Sequence, residues 1–219
     1  IYMRKPRILI IGKAVMTFTS LTERVPEAGE TLVSEGDFFF SPGGKGANAA
    51  LCAARLGADA VLLARIGGDA YGKELTGIFE KESVDTRFLF SDSEKKTALA
   101  QIFREPDGNN RTTFFPGASV GLSVDNAEEA FTCYPDALYL SNSVDPEIVY
   151  YAVGKAHEQK IPVFFDLSPV CKTLDPSSVG VCEILTASED AAAFYTGVAP
   201  TSAENALRAA IKLSALIHS

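Results

Sequence analysis

The sequence predicts an α/β fold: a doubly wound, mostly parallel sheet with helices on both faces, together with a small β lid. Short apolar runs of the kind that form buried parallel strands alternate with amphipathic stretches of helical length along the 219 residues. This alternation predicts a single domain, 1–219, built from strand-helix-strand units. Two β-rich segments, at 30–42 and 96–115, interrupt the rhythm, so we expect them to form a separate small sheet, the lid.

The predicted strands are short apolar runs that end at a glycine, a polar residue or a turn. They are expected at 7–12, 30–40, 59–67, 87–90, 97–105, 111–115, 136–142, 161–169 and 181–185. A Pro-Asp-Gly-Asn-Asn turn predicts a hairpin between the strands at 97–105 and 111–115. The predicted helices are at 45–56, 71–83, 146–159, 188–195 and 202–218. Ligands of such folds bind beyond the carboxyl ends of the strands, near Gly12, Gly67, Asn142 and Asp166 in this chain.

Composition favours an ordinary globular protein that acts on a small molecule. The chain is 47% hydrophobic and 22% charged, with a net charge of −8 and no stripe of Lys and Arg, which argues against nucleic acid or a membrane surface as a partner. Its four cysteines form no Cys-x-x-Cys pair, as expected of reduced thiols in the cytoplasm. Two histidines are too few for a convincing zinc site or serine triad.

Three glycines and a lysine stand where an alanine-rich helix should begin: Gly43, Gly44, Lys45 and Gly46. Glycine costs about 1 kcal/mol relative to alanine inside a helix, but at a helix start it lets a ligand approach the main chain closely. The helix start also supplies unpaired N–H groups and a partial positive charge. The stretch therefore predicts a site for a polar or anionic ligand.

Two nucleotide-binding patterns are matched only in part. The segment Gly67–Glu74 approaches the P-loop pattern, but Glu74 replaces the hydroxyl residue that holds Mg²⁺, so we expect a plain turn with Asp69 near the helix start. The segment Gly44–Ala49 fits a relaxed dinucleotide pattern, yet it follows the lid rather than the first strand.

Several motifs together resemble the ribokinase-like (phosphofructokinase B) family of sugar and nucleoside kinases. They are the glycine signature Pro42–Ala50 with its lead-in strand, the segment Arg65–Leu75, Pro116–Ser119 and Thr196-Gly197, in the order and spacing of the family. The resemblance implies a ribokinase-like fold and ATP-dependent phosphorylation of a hydroxyl on a sugar, nucleoside or similar polyol. It implies ATP and Mg²⁺ as cofactors, with a monovalent cation as a further candidate.

Site residues carry over from the family by position. The resemblance places the substrate against Thr17, Gly43, Gly44, Lys45, Asn48 and Asn142. Asp166 and Ser188 would lie on the nucleotide and phosphate side, and Glu189 and Asp190 are the candidates for the metal. The segments 30–42 and 96–115 would close over the substrate and exclude water, which competes for the transferred phosphate.

The sequence departs from the family at the positions that determine substrate specificity. Thr17 stands where members carry an aspartate, Val15 where ribokinases carry an asparagine, and Asn142 where ribokinases carry a glutamate. The Asn-x-x-Glu motif of the phosphate side appears as Ser188–Ala191. The family's Gly-Ala-Gly-Asp signature, with its catalytic aspartate, would lie beyond Ser219, so the chain is expected to be incomplete and to hold no catalytic residue itself.

These observations predict a carbohydrate kinase of the ribokinase or fructokinase type. The alternatives are a catalytically degenerate protein that kept the sugar cleft, which the residues at 17 and 188–191 favour, and a nucleoside kinase. The apolar segment Phe38–Phe40 predicts a lid face that a homodimer would cover.

Overall fold

The computed structural model describes residues 4–180 and 182–217. In chain order the elements are β1 (Arg7–Ile11), β2 (Val15–Leu21), β3 (Phe38–Gly43), α1 (Lys45–Arg55), β4 (Asp59–Gly67), α2 (Ala70–Lys81), β5 (Leu89–Asp92), β6 (Leu99–Arg104), β7 (Asn110–Phe115), α3 (Val124–Ala130), β8 (Ala137–Ser141), α4 (Pro146–Glu158), β9 (Val163–Asp166), β10 (Ile184–Thr186), α5 (Glu189–Thr196) and α6 (Ala203–Ile217).

The main sheet has six strands in the order β10-β9-β8-β1-β4-β5, and every neighbouring pair is parallel. The chain starts at the centre with β1, extends the sheet on one side through β4 and β5, and then extends it on the other through β8, β9 and β10. The predicted doubly wound sheet is confirmed. All carboxyl ends of these strands lie along one edge, where the chain turns at Gly12, Gly67, Asn142 and beyond Asp166.

Helices cover both faces of this sheet because successive side chains of a buried strand point in opposite directions. In β4, Leu62 packs in a core cluster with Leu75 and Phe79 of α2, on the face that α1 also covers. Its neighbour Leu63 belongs to the cluster on the other face, which includes residues of α3, α4, α5 and α6. Both leucines are fully buried.

The lid is a second sheet of four strands in the order β3-β2-β6-β7. Strand β2 was not predicted, because it follows β1 after only three residues and its apolar pattern continues that of β1. The predicted strand at 30–40 is correct only in its last part, since β3 begins at Phe38 and residues 30–37 are mostly exposed and form no strand. The hairpin between β6 and β7 is confirmed.

The register of the lid sorts its side chains onto two faces. Thr17 of β2 pairs with Ser41 of β3 and with Ala100 of β6, which in turn pairs with Phe114 of β7. Directly paired residues share a face of a sheet, so these four side chains form one row. Val15 of β2 and Gly43 of β3, which pair two residues along from Thr17 and Ser41, lie on the same face. Because Gly43 leads directly into the start of α1, we call this face of the lid the cleft face.

The opposite face of the lid is aromatic. Phe18 stacks on Phe40 with ring centroids 5.0 Å apart and meets Phe38 edge-on at 5.9 Å. Phe38 is 64% exposed and Phe40 43% exposed. Phe38, Phe39 and Phe40 are all exposed, as predicted, but they do not form one face, since Phe39 pairs with Thr19 and lies on the cleft face.

No helix within residues 4–180 and 182–217 is long and apolar enough to cross a membrane. The four cysteines are free thiols, and burial raises the pKa of Cys133 to about 11. The predicted location in the cytoplasm stays a prediction. His218 and Val181, which belonged to a predicted helix and a predicted strand, lie outside the described residues.

Candidate active site

The glycines at the start of α1 let the helix dock directly against the end of β1. Gly44 is the N-cap residue and has φ +90°, a conformation that favours glycine. A Cβ atom on Gly44 would lie 2.4 Å from the carbonyl oxygen of Lys13, and one on Gly46 would lie 2.7 Å from Cα of Gly12. The glycines therefore allow a close backbone contact between α1 and the end of β1, and the predicted access for a ligand stays a prediction.

Gly43 brings the lid to the same point. It ends β3, and a Cβ atom there would lie 2.2 Å from Oγ1 of Thr17. The side chain of Thr17 is buried at this contact. The structure thus brings together three predicted substrate residues, Thr17, Gly43 and Gly44, at the junction between the lid and the main sheet.

Lys45 forms an ion pair with Asp166 across the carboxyl edge of the main sheet. The Nζ of Lys45 lies 2.7 Å from Oδ2 of Asp166, whose side chain is only 13% exposed. The other oxygen of Asp166 accepts a hydrogen bond from the backbone N–H of Ser168 at 3.0 Å. The hydroxyl of Tyr139 lies 3.5 Å from Asp166 Oδ2, and burial together with the Asp166 charge raises the pKa of Tyr139 to about 12.

An open groove of about 790 Å³ runs from this ion pair along the sheet. Lys45 and Asn48, one turn apart on α1, line it together with Asp166. Its floor is apolar and is formed by Ile8, Ile10, Tyr139, Phe164 and Ile184. Asn48 is exposed to this groove, so its amide is available to a ligand.

Asn142 follows β8 and is 2% exposed. Its Nδ2 donates to the carbonyl oxygen of Pro169 at 2.9 Å and to the hydroxyl of Tyr195 at 3.0 Å. The Tyr195 hydroxyl donates to the Cys171 carbonyl at 2.8 Å and accepts from the Cys171 N–H at 3.0 Å. Both amide hydrogens of Asn142 are therefore used, while its Oδ1 has no hydrogen-bond partner among the described residues.

The residues predicted for the nucleotide side meet through Ser168. The N–H of Ser168 donates to Asp166, and its Oγ accepts from the N–H of Ser188 at 2.8 Å. Ser188 is the N-cap of α5 and accepts from the Ala191 N–H at 3.3 Å. Glu189 lies exposed in the first turn of this helix.

The assignment of Glu189 and Asp190 to the metal stays a prediction. In the part of the chain that the structure describes, no group of three or more His, Cys, Asp and Glu side chains could hold a metal ion. Asp190, the other metal candidate, is exposed beside Glu189 in the first turn of α5.

Sequence reasoning missed Lys13 and Tyr195. Lys13 lies just beyond β1 and is half-buried, and its Nζ is 5.3 Å from the centre of the Phe114 ring on the cleft face of the lid. Burial lowers the pKa of the Lys13 ammonium below its usual value. No local sequence pattern indicates either residue, because the residues that each contacts are distant in the sequence and only the fold brings them close.

Comparison with known proteins identifies the family. The model of the pfkB family carbohydrate kinases matches residues 5–218. The chain belongs to the pfkB family. It is 27% identical over 208 residues to the ribokinase of Mus musculus and 27% identical over 209 residues to the deoxyribokinase of Salmonella typhi, in each case over 94% of this chain.

A solved structure has the same fold. The structure of Arabidopsis thaliana ribokinase complexed with ribose and ATP superposes with a TM-score of 0.82 at 24% identity, over 98% of this chain and 70% of that one. The chain spans 64% of the mouse ribokinase and 67% of the Salmonella deoxyribokinase, about two thirds of the length of these curated relatives. The fold prediction and the family resemblance are both confirmed.

Proposed function

We propose that the protein takes part in ATP-dependent phosphorylation of a hydroxyl on a sugar-derived substrate, which binds where α1 begins. One observation carries the proposal: the lid, the end of β1 and the Lys45–Asp166 ion pair converge on Gly43 and Gly44 at the carboxyl edge of a parallel sheet. Ligands of open α/β sheets bind at that edge. The family match over residues 5–218 supports the same reaction class.

The polar groups at this point suit a polyol. The Lys45 ammonium uses one of its three N–H groups on Asp166, which leaves two to donate to substrate hydroxyl oxygens. The Asp166 carboxylate, predicted for the phosphate side, is paired with Lys45 and keeps lone pairs that can also accept from substrate hydroxyl groups. The Asn48 amide can both donate and accept. Buried or partly buried charged groups of this kind make hydrogen bonds about twice as strong as neutral ones.

The nucleotide side is proposed at a coarser level. ATP would supply the transferred phosphoryl group, and Mg²⁺ would be bound largely through the nucleotide's own phosphates, as is usual for this ion. The described carboxylates alone do not form its site. We assign no catalytic base within residues 4–180 and 182–217. The proposal also gives no role in phosphoryl transfer to the signature expected beyond Ser219 or to a monovalent cation.

Ligand-dependent thermal stabilisation tests the proposal on the 219-residue chain. Ribose, 2-deoxyribose, glucose, gluconate, ribose 5-phosphate and adenosine form the panel, because a ligand that binds only the folded state raises Tm. Lys45→Met should weaken binding of the stabilising ligand at least tenfold, since it removes a charged hydrogen bond. The matched control is Lys81→Met, an exposed lysine at the end of α2, which should bind as the wild type does.

The outcomes separate three functions. Stabilisation by a sugar or sugar derivative supports the proposed site. Because the 219-residue chain is expected to hold no catalytic residue, ADP release on adding ATP and Mg²⁺ is measured on the protein that carries the predicted C-terminal signature, where its presence supports the kinase and its absence a binding protein. Stabilisation by adenosine alone supports a nucleoside kinase. If no panel member stabilises the wild type, or if Lys45→Met binds as tightly as Lys81→Met, the proposed site is wrong.

Dimerisation through the aromatic face of the lid is part of the same proposal. The support is the aromatic cluster of Phe18, Phe38 and Phe40, in which Phe38 is 64% exposed and which a second lid would cover, although Phe40 also stacks on Tyr71 of α2. We expect light scattering to give a dimer for the wild type and a monomer for Phe38→Ser. A wild-type monomer at micromolar concentration would contradict this part.

A further inference from the structure

Lys13 presents an ammonium group for which the described residues provide no salt bridge. Its carbonyl oxygen accepts the N–H of Ala47 at 3.1 Å, which fixes its backbone against the first turn of α1. Its side chain extends to the lid, where Nζ lies 5.3 Å from the centre of the Phe114 ring. In the described part of the chain, this ring is the one partner recorded for the charge.

The ammonium lies on the substrate side of the lid. Phe114 shares the cleft face with Ala100 and Thr17, its neighbours across the sheet. Strands of a sheet are about 4.8 Å apart, so Thr17 and Phe114 are separated by roughly 10 Å, within the span of one sugar derivative. A ligand that rests on Gly43 and reaches across this face would meet Lys13.

A small cavity of about 200 Å³ adjoins Lys13. Lys13 lines it with Ser119 and with Ser143 and Asp145, which both belong to the turn between β8 and α4. Asp145 is the one carboxylate in this lining, and its Oδ1 already accepts the N–H of Glu147 at 3.1 Å as the N-cap of α4. The cavity has room for a carboxylate or phosphate group but not for a whole sugar.

The described polar groups near Lys13 form no salt bridge with it. Thr17 and Asn142 are neutral, Asp166 is already paired with Lys45, and Asp145, which shares the cavity with Lys13, lies in no ion pair with it. A half-buried charge without a counter-ion is costly, and burial lowers the Lys13 pKa accordingly. In a chain with net charge −8, an uncompensated positive group in the candidate cleft is an exception that an anionic ligand would explain.

We infer that the substrate carries an anionic group, a carboxylate or a phosphate, and that Lys13 binds it between the lid and the end of β1. This inference rests on the proposed function and narrows its substrate class from sugars to acidic sugar derivatives. Lys13 is thereby a specificity-determining residue. The hydroxyl that is phosphorylated would lie at the other end of the substrate, toward Lys45.

Two matched ligand pairs test the inference. Glucose and gluconate differ by a carboxylate, and ribose and ribose 5-phosphate differ by a phosphate. Binding is measured by thermal shift and calorimetry on the 219-residue chain. We expect the anionic member of one pair to bind at least tenfold more tightly than its neutral partner, and the pair that shows this identifies the group as carboxylate or phosphate.

Three variants assign the effect to Lys13. Lys13→Met keeps the length of the side chain without the charge, and it should weaken the anionic ligand about 10- to 100-fold, the usual range for a lost charged hydrogen bond. Lys13→Arg should retain most of the affinity, and the exposed Lys81→Met should retain all of it. Without ligand, Lys13→Met should unfold at the same or a higher temperature than the wild type, because it removes an uncompensated charge.

The results distinguish this inference from the proposed function. If the neutral sugars bind at least as tightly as the anionic ones, or if Lys13→Met binds the anion as the wild type does, Lys13 only packs its stem on Phe114 and the inference is overturned while the proposed function stands. If no member of either pair binds, both are overturned.

Discussion

The two sheets of this protein use apolar side chains in opposite ways. In the main sheet, Leu9, Ile10 and Leu62 are fully buried between helical layers. In the lid, Phe39 and Phe114 are 46% and 43% exposed, although they lie within regular strands. The main sheet therefore stabilises the fold, whereas the lid holds apolar surface ready for a ligand or a second subunit.

The junction of the two sheets is where the difference has functional consequences. The candidate substrate groups, Thr17, Lys13 and Lys45, lie at this junction rather than inside either sheet. The rigid edge of the main sheet can position the charged groups, while the lid supplies a face that touches the ligand. The following predictions test this division, from the largest expected effect to the smallest.

Truncation of a core leucine should be far more costly than truncation of a lid phenylalanine. Leu62→Ala removes a fully buried side chain beside Leu75 and Phe79, so we expect a loss of about 2–5 kcal/mol in the free energy of unfolding. Phe39→Ala should cost about 1 kcal/mol or less, because the side chain is half-exposed. Urea denaturation measures both, and equal losses would mean that the lid belongs to the stabilising core.

Removal of the Tyr195 hydroxyl should have an intermediate effect. Tyr195→Phe removes the hydrogen bonds to Asn142 and to both backbone groups of Cys171, so we expect a loss of about 1–3 kcal/mol. Tyr134→Phe is the control, because Tyr134 is 80% exposed and should not change stability. If the two variants unfold at the same denaturant concentration, the network at the end of β8 does not stabilise the protein.

Asp69, at the start of α2, accepts hydrogen bonds from Thr97, just before β6 of the lid. We expect these bonds to stabilise the protein in a pH-dependent way. Desolvation raises the pKa of Asp69, but hydrogen bonds from Thr97 and Gly72 outweigh this, and the net pKa is lower than usual. A carboxyl whose pKa is lower in the folded state stabilises the protein above the unfolded pKa of about 3.9. That contribution is lost as the pH falls from about 5 through 3.9 toward the lower folded pKa.

Thermal unfolding between pH 7 and pH 3 measures this effect. Asp69→Asn should be less stable than the wild type at neutral pH and should lose less stability than the wild type below pH 5. Parallel curves for the two proteins would show that Asp69 does not contribute to the acid sensitivity.

The smallest effect is expected at an exposed ion pair far from the junction. Arg55 and Glu82 are in contact at 2.8 Å, with side chains 61% and 31% exposed. Arg55→Gln should change the free energy of unfolding by less than about 1 kcal/mol, and added salt should reduce the difference. A change as large as that of Leu62→Ala would overturn the ranking.

The main sheet could be predicted from the sequence because its strands are continuous apolar runs that end in glycine or polar residues. The lid was harder, because β2 joins β1 after three residues and pairs with β6, about 80 residues later in the chain. No local pattern records such a pairing. The start of α1 was recognised, but the contact of Gly44 with the Lys13 carbonyl depends on the fold.

The candidate site shows the same limit. Lys45 and Asp166 could be proposed from their positions at a helix start and a strand end, and the structure joins them at 2.7 Å. Lys13 and Tyr195 could not be proposed, because neither belongs to a motif and their partners, Phe114 and Asn142, are distant from them in sequence.

The central claim, that the ligand binds against the start of α1, is tested most directly by two glycines that both have a positive φ. Gly44 has φ +90° and Gly57 has φ +92°, but a Cβ atom on Gly57 would meet no atom within 4 Å. Alanine at either position imposes the strain of a positive φ, on the order of 1–3 kcal/mol. Only alanine at Gly44 would also displace the helix start from β1 and obstruct the ligand.

The measurement is calorimetric binding of the panel ligand that most stabilises the wild type, at a temperature where both variants are folded. We predict that Gly57→Ala keeps the wild-type affinity and that Gly44→Ala loses binding at least tenfold. Equal affinity of the two variants would contradict the account, because the ligand would then bind elsewhere.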